Sequence, residues 1–167
     1  MHLLSAEAFV SNSTFHLETS KQFGGAVSAT AASKLHVRDS RFSKCGSPKG
    51  AVGVSVASTA NFWDSKFEES PGSSVFAHGG GAAVLMDSCE LLYGKSHGLH
   101  LVHNDDWTVI RNTRCYGHTI VGHGACMYME GSSPFISHWL LFASSSFLTS
   151  LCFFLVNNIN KSLINIF

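Results

Sequence analysis

Val37-Arg38-Asp39-Ser40-Arg41-Phe42 and Phe62-Trp63-Asp64-Ser65-Lys66-Phe67 carry one pattern twice: an apolar residue, an Asp-Ser pair two positions on, then an aromatic ring. Upstream, Val10-Ser11-Asn12-Ser13-Thr14-Phe15 repeats it with Asn in place of Asp. Downstream it continues in weaker form as Leu85-x-Asp87-Ser88-x-Glu90 and Ile110-x-Asn112-Thr113-x-Cys115. The Asp/Asn positions lie 27, 25, 23 and 25 residues apart. A period of this length means stacked supersecondary units, each burying its apolar face against the next.

A second landmark precedes each turn. Gly25-Ala26-Val27, Gly50-Ala51-Val52, Ser73-Ser74-Val75, Gly98-Leu99-His100 and Gly124-Ala125-Cys126 each start 14 residues before Asp39, Asp64, Asp87, Asn112 and His138. Three short strands fit in one period. Val52, Val54 and Val56 alternate with Gly53 and Ser55 in the first. Leu35 and Val37 belong to the second, and Phe42 and Phe67 start the third. Asp and Asn suit the intervening turn because they tolerate left-handed backbone. The inward ladder is expected to run Val10, Val37, Phe62, Leu85, Ile110, Ile136, beside stacked Phe15, Phe42 and Phe67.

These repeats resemble the right-handed parallel β-helix of the pectin-lyase-like superfamily, over residues 8–141. Gly24-Gly25-Ala26-Val27 and Phe9-x-x-Asn12 also resemble the repeat motifs of chlamydial polymorphic outer-membrane proteins, which are surface adhesins. The resemblance implies an all-β solenoid of five to six coils. Its handedness follows the rule for parallel crossovers. Residues 142–167 fall outside the repeat and form an apolar tail.

With 167 residues the chain suits one domain. Eleven basic and eleven acidic side chains leave no net charge, which removes the electrostatic argument for nucleic acid. The five cysteines are odd in number and form no Cys-x-x-Cys. They read as small core residues rather than a disulfide or zinc framework. Met1 to Glu7 has no basic region followed by an apolar run, so it is not a signal peptide. The abrupt start at a repeat suggests a piece of a longer protein. Trp139 to Val156 is long enough to reach across a bilayer, though Ser144 to Ser146 interrupt it. A membrane anchor, a cap on the last coil and translated non-coding sequence all fit this tail.

Four groups of residues carry candidate chemistry. Asp39, Asp64 and Asp87 would stack as carboxylates at coil spacing and invite calcium, unless basic neighbours relieve them. Thr30, Ser55, His78 and His103 form a polar column nine residues before each turn. There His78 and His103, with Asp105 and Asp106, suggest an acid–base or metal site. Asp105-Asp106 and Gly122-His123-Gly124 are similar to two polygalacturonase motifs, but the companion Asn-Thr-Asp and Arg-Ile-Lys are missing. Finally, Arg38, Trp63, Met86 and Arg111, with His36 and Asn61 beside them, form an outward column. An exposed Trp flanked by Arg suits a sugar ring or an acidic glycan.

The expectation is a non-catalytic repeat domain of a surface or secreted protein, binding glycans or acting as a spacer. The rival is a polysaccharide lyase or glycoside hydrolase. Asn12-Ser13-Thr14 and Asn160-Lys161-Ser162 also match the N-glycosylation sequon.

Overall fold

The computed structural model describes residues 1–104, 108–119, 126–132, 134–137, 140–142 and 156–157. Each coil contributes three short strands. The first coil has β1 (His2–Leu4), β2 (Glu7–Ser11) and β3 (Thr14–His16). The second has β4 (Val27–Thr30), β5 (Lys34–Arg38) and β6 (Arg41–Ser43). The third has β7 (Val52–Ser55), β8 (Thr59–Trp63) and β9 (Lys66–Glu68). Next come β10 (Val75–His78), β11 (Ala83–Asp87) and β12 (Glu90–Leu92), then β13 (Leu99–Val102), β14 (Val109–Arg111) and β15 (Arg114–Tyr116). The sixth coil has β16 (Met127–Glu130), β17 (Phe135–Ser137) and β18 (Leu140–Phe142), and β19 (Val156–Asn157) follows in the tail.

Every pairing is parallel, and strands pair only with their equivalents one coil away. The first sheet runs β1-β4-β7-β10-β13-β16-β19, the middle sheet β2-β5-β8-β11-β14-β17, and the third β3-β6-β9-β12-β15-β18. The chain is an all-β parallel solenoid, as the repeat implies, with no helix among the described residues.

Stacking puts like residues on like. Phe15, Phe42 and Phe67 lie face to face, with centroids 4.8 and 4.7 Å apart and planes within 6°. Phe62 meets Phe67 edge-on at 5.3 Å. The edge-on contact suits the ring quadrupole; Phe42, Phe62 and Phe67 are fully buried and Phe15 partly so. Val27, Val52, Val75 and Leu99 form the matching ladder of the first sheet, all buried.

The turn between the middle and third sheets explains the Asp/Asn-Ser signature. Asn12, Asp39, Asp64 and Asn112 have φ of 46°, 48°, 49° and 49°. The hydroxyl that follows is turned inward. Ser40 Oγ donates to the Arg38 carbonyl at 2.8 Å and Ser65 Oγ to the Trp63 carbonyl at 2.7 Å. Each also accepts a backbone N–H from the preceding coil, Ser13 to Ser40 at 3.2 Å and Ser40 to Ser65 at 3.3 Å. The Asp or Asn therefore supplies the left-handed corner, and the Ser satisfies backbone groups that the turn would otherwise orphan.

In the fourth coil the register departs from the expectation by one residue. Met86, not Leu85, pairs with Phe62 and Ile110, and Met86 is fully buried. Ser88, not Asp87, occupies the left-handed corner, with φ 55°. Cys89 takes the place of the inward Ser, and its Sγ donates to the Asp87 carbonyl at 3.4 Å. Leu91 then continues the ring ladder below Phe67. The first sheet shifts likewise: Leu99 aligns with Val75 and Met127 with Leu99. The Gly98 landmark therefore sits one residue away from the position assigned by spacing, and Gly124 lies outside the described residues.

The cysteines also correct the expectation. Cys115 and Cys126 form a disulfide, with Cα atoms 5.8 Å apart. Cys115 follows Leu91 in the register of the third sheet, and Cys126 lies just before β16. Adjacent stacked coils bring together two cysteines that no short motif links. Cys45 and Cys89 are buried free thiols, as small core residues should be.

Candidate ligand-binding face

The middle sheet presents its outer side as two parallel columns. One runs Phe9, His36, Asn61, Leu85, Val109, Phe135, and the other Ser11, Arg38, Trp63, Asp87, Arg111. Phe9 and Phe135, at either end of the first column, are 77% and 63% exposed. Three rings lie parallel across the two columns. Phe9 stacks on His36 at 4.7 Å and 9°, and His36 faces Trp63 at 6.2 Å and 5°. His36 is held on both nitrogens: Nε2 lies 3.0 Å from Glu7 Oε1, and Asn61 Nδ2 is 3.3 Å from Nδ1. This arrangement fixes the imidazole plane that backs the half-buried indole.

Charges surround the indole. Arg38 Nε is 3.6 Å from Asp39 and 3.9 Å from Asp64, and its side chain is 69% exposed. On the other flank, Asp87 Oδ2 accepts from Arg111 Nε at 2.8 Å and Oδ1 from Asn112 Nδ2 at 3.0 Å. The Asn112 hydrogen bond, followed by Arg111, holds the Asp87 carboxyl below its usual range. Arg38, Trp63 and Arg111 therefore share one column, as expected, but its fourth member is Asp87. Met86 is inside the core.

The same shift dissolves the three-carboxylate ladder. Asp39 and Asp64 occupy neighbouring corners, while Asp87 stands on the strand with both oxygens engaged. Among the described residues, no group of three His, Cys, Asp or Glu side chains could hold a metal ion. Among the basic neighbours, Arg38 lies beside both Asp39 and Asp64. Arg41 and Lys66 instead clamp Glu68, with Arg41 Nε at 2.8 Å and Lys66 Nζ at 2.6 Å. Burial opposes ionisation of Glu68, but these two partners outweigh it and lower its pKa.

His78 and His103 do not pair. His78 aligns with Ser55 and Val102. His103 has φ 51° and forms the corner beyond β13, its ring lying against Gly131, where a Cβ would meet Nδ1 at 2.4 Å. Thr30, Ser55 and His78 thus form the column with Val102 as its next member. Asp105, Asp106 and His123 lie outside the described residues, as does Trp139 to Val156 apart from 140–142 and 156. No helix among the described residues is long and apolar enough to cross a membrane.

One cluster had no signal in the repeat. Outside the first sheet, Phe23 packs over Gly53, where a Cβ would come within 2.6 Å of the ring. Phe23 meets Phe76 edge-on at 5.9 Å, Phe76 meets His100 at 4.9 Å, and His100 meets Tyr128 at 4.9 Å. His97 joins at 5.0 Å from His100. Burial holds the His100 pKa below its ordinary value, against the attraction of Glu130. Beside Phe23, His2, Ser28, Thr30 and Ser55 floor an open groove of about 600 Å³. Gly53 was the available clue, since a lone Gly in a Val-rich strand marks a close approach.

Comparison of the chain with protein-family models, curated proteins and solved structures gives no match.

Proposed function

We propose that this solenoid is a non-catalytic binding domain of a surface or secreted protein, taking glycan chains along the outer middle sheet. The observation that carries the reading is the position of Trp63. Its indole is backed by the parallel rings of His36 and Phe9 and flanked by Arg38 and Asp87. A flat apolar ring between hydrogen-bonding charges matches the two sides of a pyranose, whose C–H face stacks while its hydroxyls bond. Coils repeat at about 4.8 Å, so an extended chain lying along the axis meets equivalent positions in turn. Kinship with the pectin-lyase-like superfamily and with chlamydial surface repeats belongs to the same proposal.

The hydrolase or lyase reading has less support. It requires His78 and His103 to converge, and they occupy different registers. Calcium has two carboxylates available, at Asp39 and Asp64, with Arg38 beside both.

The test is binding of the full chain to acidic and neutral polysaccharides, with and without calcium, and with released product measured in the same wells. The proposal expects retention without turnover, weakened about tenfold or more by Trp63→Ala. Product release lost in His78→Ala or His103→Ala would reverse it. Retention unchanged by Trp63→Ala would move the site off this face.

A further inference from the structure

We propose that Asn12 is an acceptor for an N-linked glycan, so that the solenoid carries a covalent oligosaccharide at its first corner. The sequon Asn12-Ser13-Thr14 occupies the left-handed turn between β2 and β3. Asn12 and Thr14 are both exposed, and Ser13 between them turns its hydroxyl back to the Ser11 carbonyl at 2.8 Å. The corner therefore leaves both the acceptor residue and the hydroxyl-bearing residue two positions on exposed.

Asn112 provides the internal contrast. It fills the same corner, with φ 49°, but its amide is committed to Asp87 at 3.0 Å. It is followed by Thr113 and Arg114, so the hydroxyl is missing from the required position. Among the described residues, only Asn12 joins a left-handed corner, an exposed amide and a hydroxyl two residues later.

An independent observation points to the compartment where such transfer occurs. Cys115 and Cys126, 0% and 4% exposed, are joined as a disulfide inside the stack. Structural disulfides form in oxidising compartments, which in cells with a secretory pathway also house sequon-directed transfer. The inference rests on the secreted reading of the chain but not on the Trp63 face.

The co-reactant is a sugar activated at C1 as a lipid-linked pyrophosphate. The Asn12 Nδ2–C1 bond forms and the C1–O bond to phosphate breaks. The lipid pyrophosphate departs with the bonding pair, and one amide proton passes to a base of the transferring enzyme. No oxidant or reductant is consumed.

The experiment routes the full chain through a eukaryotic secretory pathway and measures the intact mass of the disulfide-bonded product. An N-glycosidase digest in heavy-oxygen water then locates any glycosylated Asn as labelled Asp. The expected result is a glycosidase-sensitive mass increment at Asn12, lost in Asn12→Gln and equally in Thr14→Val, which leaves Asn12 in place. Asn112→Gln should retain it. Unmodified Asn12 in folded, oxidised protein would overturn the proposal, as would a modified Asn12 in Thr14→Val; an increment that the digest places at Asn160 belongs to the second sequon. Since neither variant touches Trp63, glycan retention on the middle sheet remains a separate readout.

Discussion

Cys89 Sγ donates to the Asp87 carbonyl at 3.4 Å, in the place where Ser65 Oγ donates to the Trp63 carbonyl at 2.7 Å. The fourth coil thus replaces a hydroxyl with a thiol at the one corner where the Asp-Ser pair is displaced. The Ser65 backbone bonds to this thiol, and burial pushes its pKa up to about 12. Cys89→Ser restores the residue used by the other coils and should change stability by less than about 1 kcal/mol, whereas Cys89→Ala should cost about 1–3 kcal/mol by orphaning a buried N–H. Urea unfolding of both variants measures the difference, and equal losses would contradict the assigned corner. In the native protein Cys89 should resist alkylation at neutral pH.

Asp87 should anchor the face through Arg111 and Asn112. Asp87→Ala should destabilise by about 1 kcal/mol, discounted for partial solvent access. The folded carboxyl titrates below its ordinary 3.8, so the stabilisation is present above that value and fades as pH falls through the lowered folded pKa. Denaturant midpoints at pH 6 and pH 3 should therefore differ less in Asp87→Ala than in the parent.

Acidification has an earlier effect through histidine. Burial lowers the pKa of both His100 and His118 from 6.5. The unfolded chain then binds protons that the folded chain refuses, and stability falls as pH drops from 6.5 towards the folded values. Each histidine can contribute at most about 1.4 kcal/mol per pH unit in that window. Melting temperature from pH 7.5 to 5 is the readout, and His118→Gln should flatten the slope.

The Cys115–Cys126 bond closes a loop with a sequence separation of 11. Loop-closure entropy assigns it about 3 kcal/mol. The Cys115→Ala/Cys126→Ala double variant should lose about that much in equilibrium unfolding, and the parent protein should lose it on reduction. Equal stability with and without reductant would argue against the pairing.

The solenoid was legible because its period, its Asp/Asn-Ser corners and its Phe15-Phe42-Phe67 ladder are all local signatures repeated along the chain. The register of the fourth coil was not. Leu85 and Met86 are both apolar, so alternation does not choose between them, and Asp87-Ser88 copies the corner pair one residue too early. The 23-residue step among steps of 25 and 27 was the warning. That slip alone put Met86 beside Trp63 and Asp87 in the carboxylate ladder. A similar slip in the first sheet put His103 beside His78. The disulfide and the Phe23 cluster were hidden for another reason: each joins a loop to a neighbouring coil, and those distances exist only after stacking.

The register of the Trp63 face is most directly tested by nuclear Overhauser contacts from the Met86 methyl group in the folded protein. Parallel stacking with Ser88 at the corner predicts strong contacts from that methyl to the Phe62 ring and the Ile110 side chain, with none to the Trp63 indole. Contacts from Met86 to Trp63, with Leu85 facing Phe62, would place Asp87 back in the corner and dissolve the Arg38-Trp63-Asp87-Arg111 column.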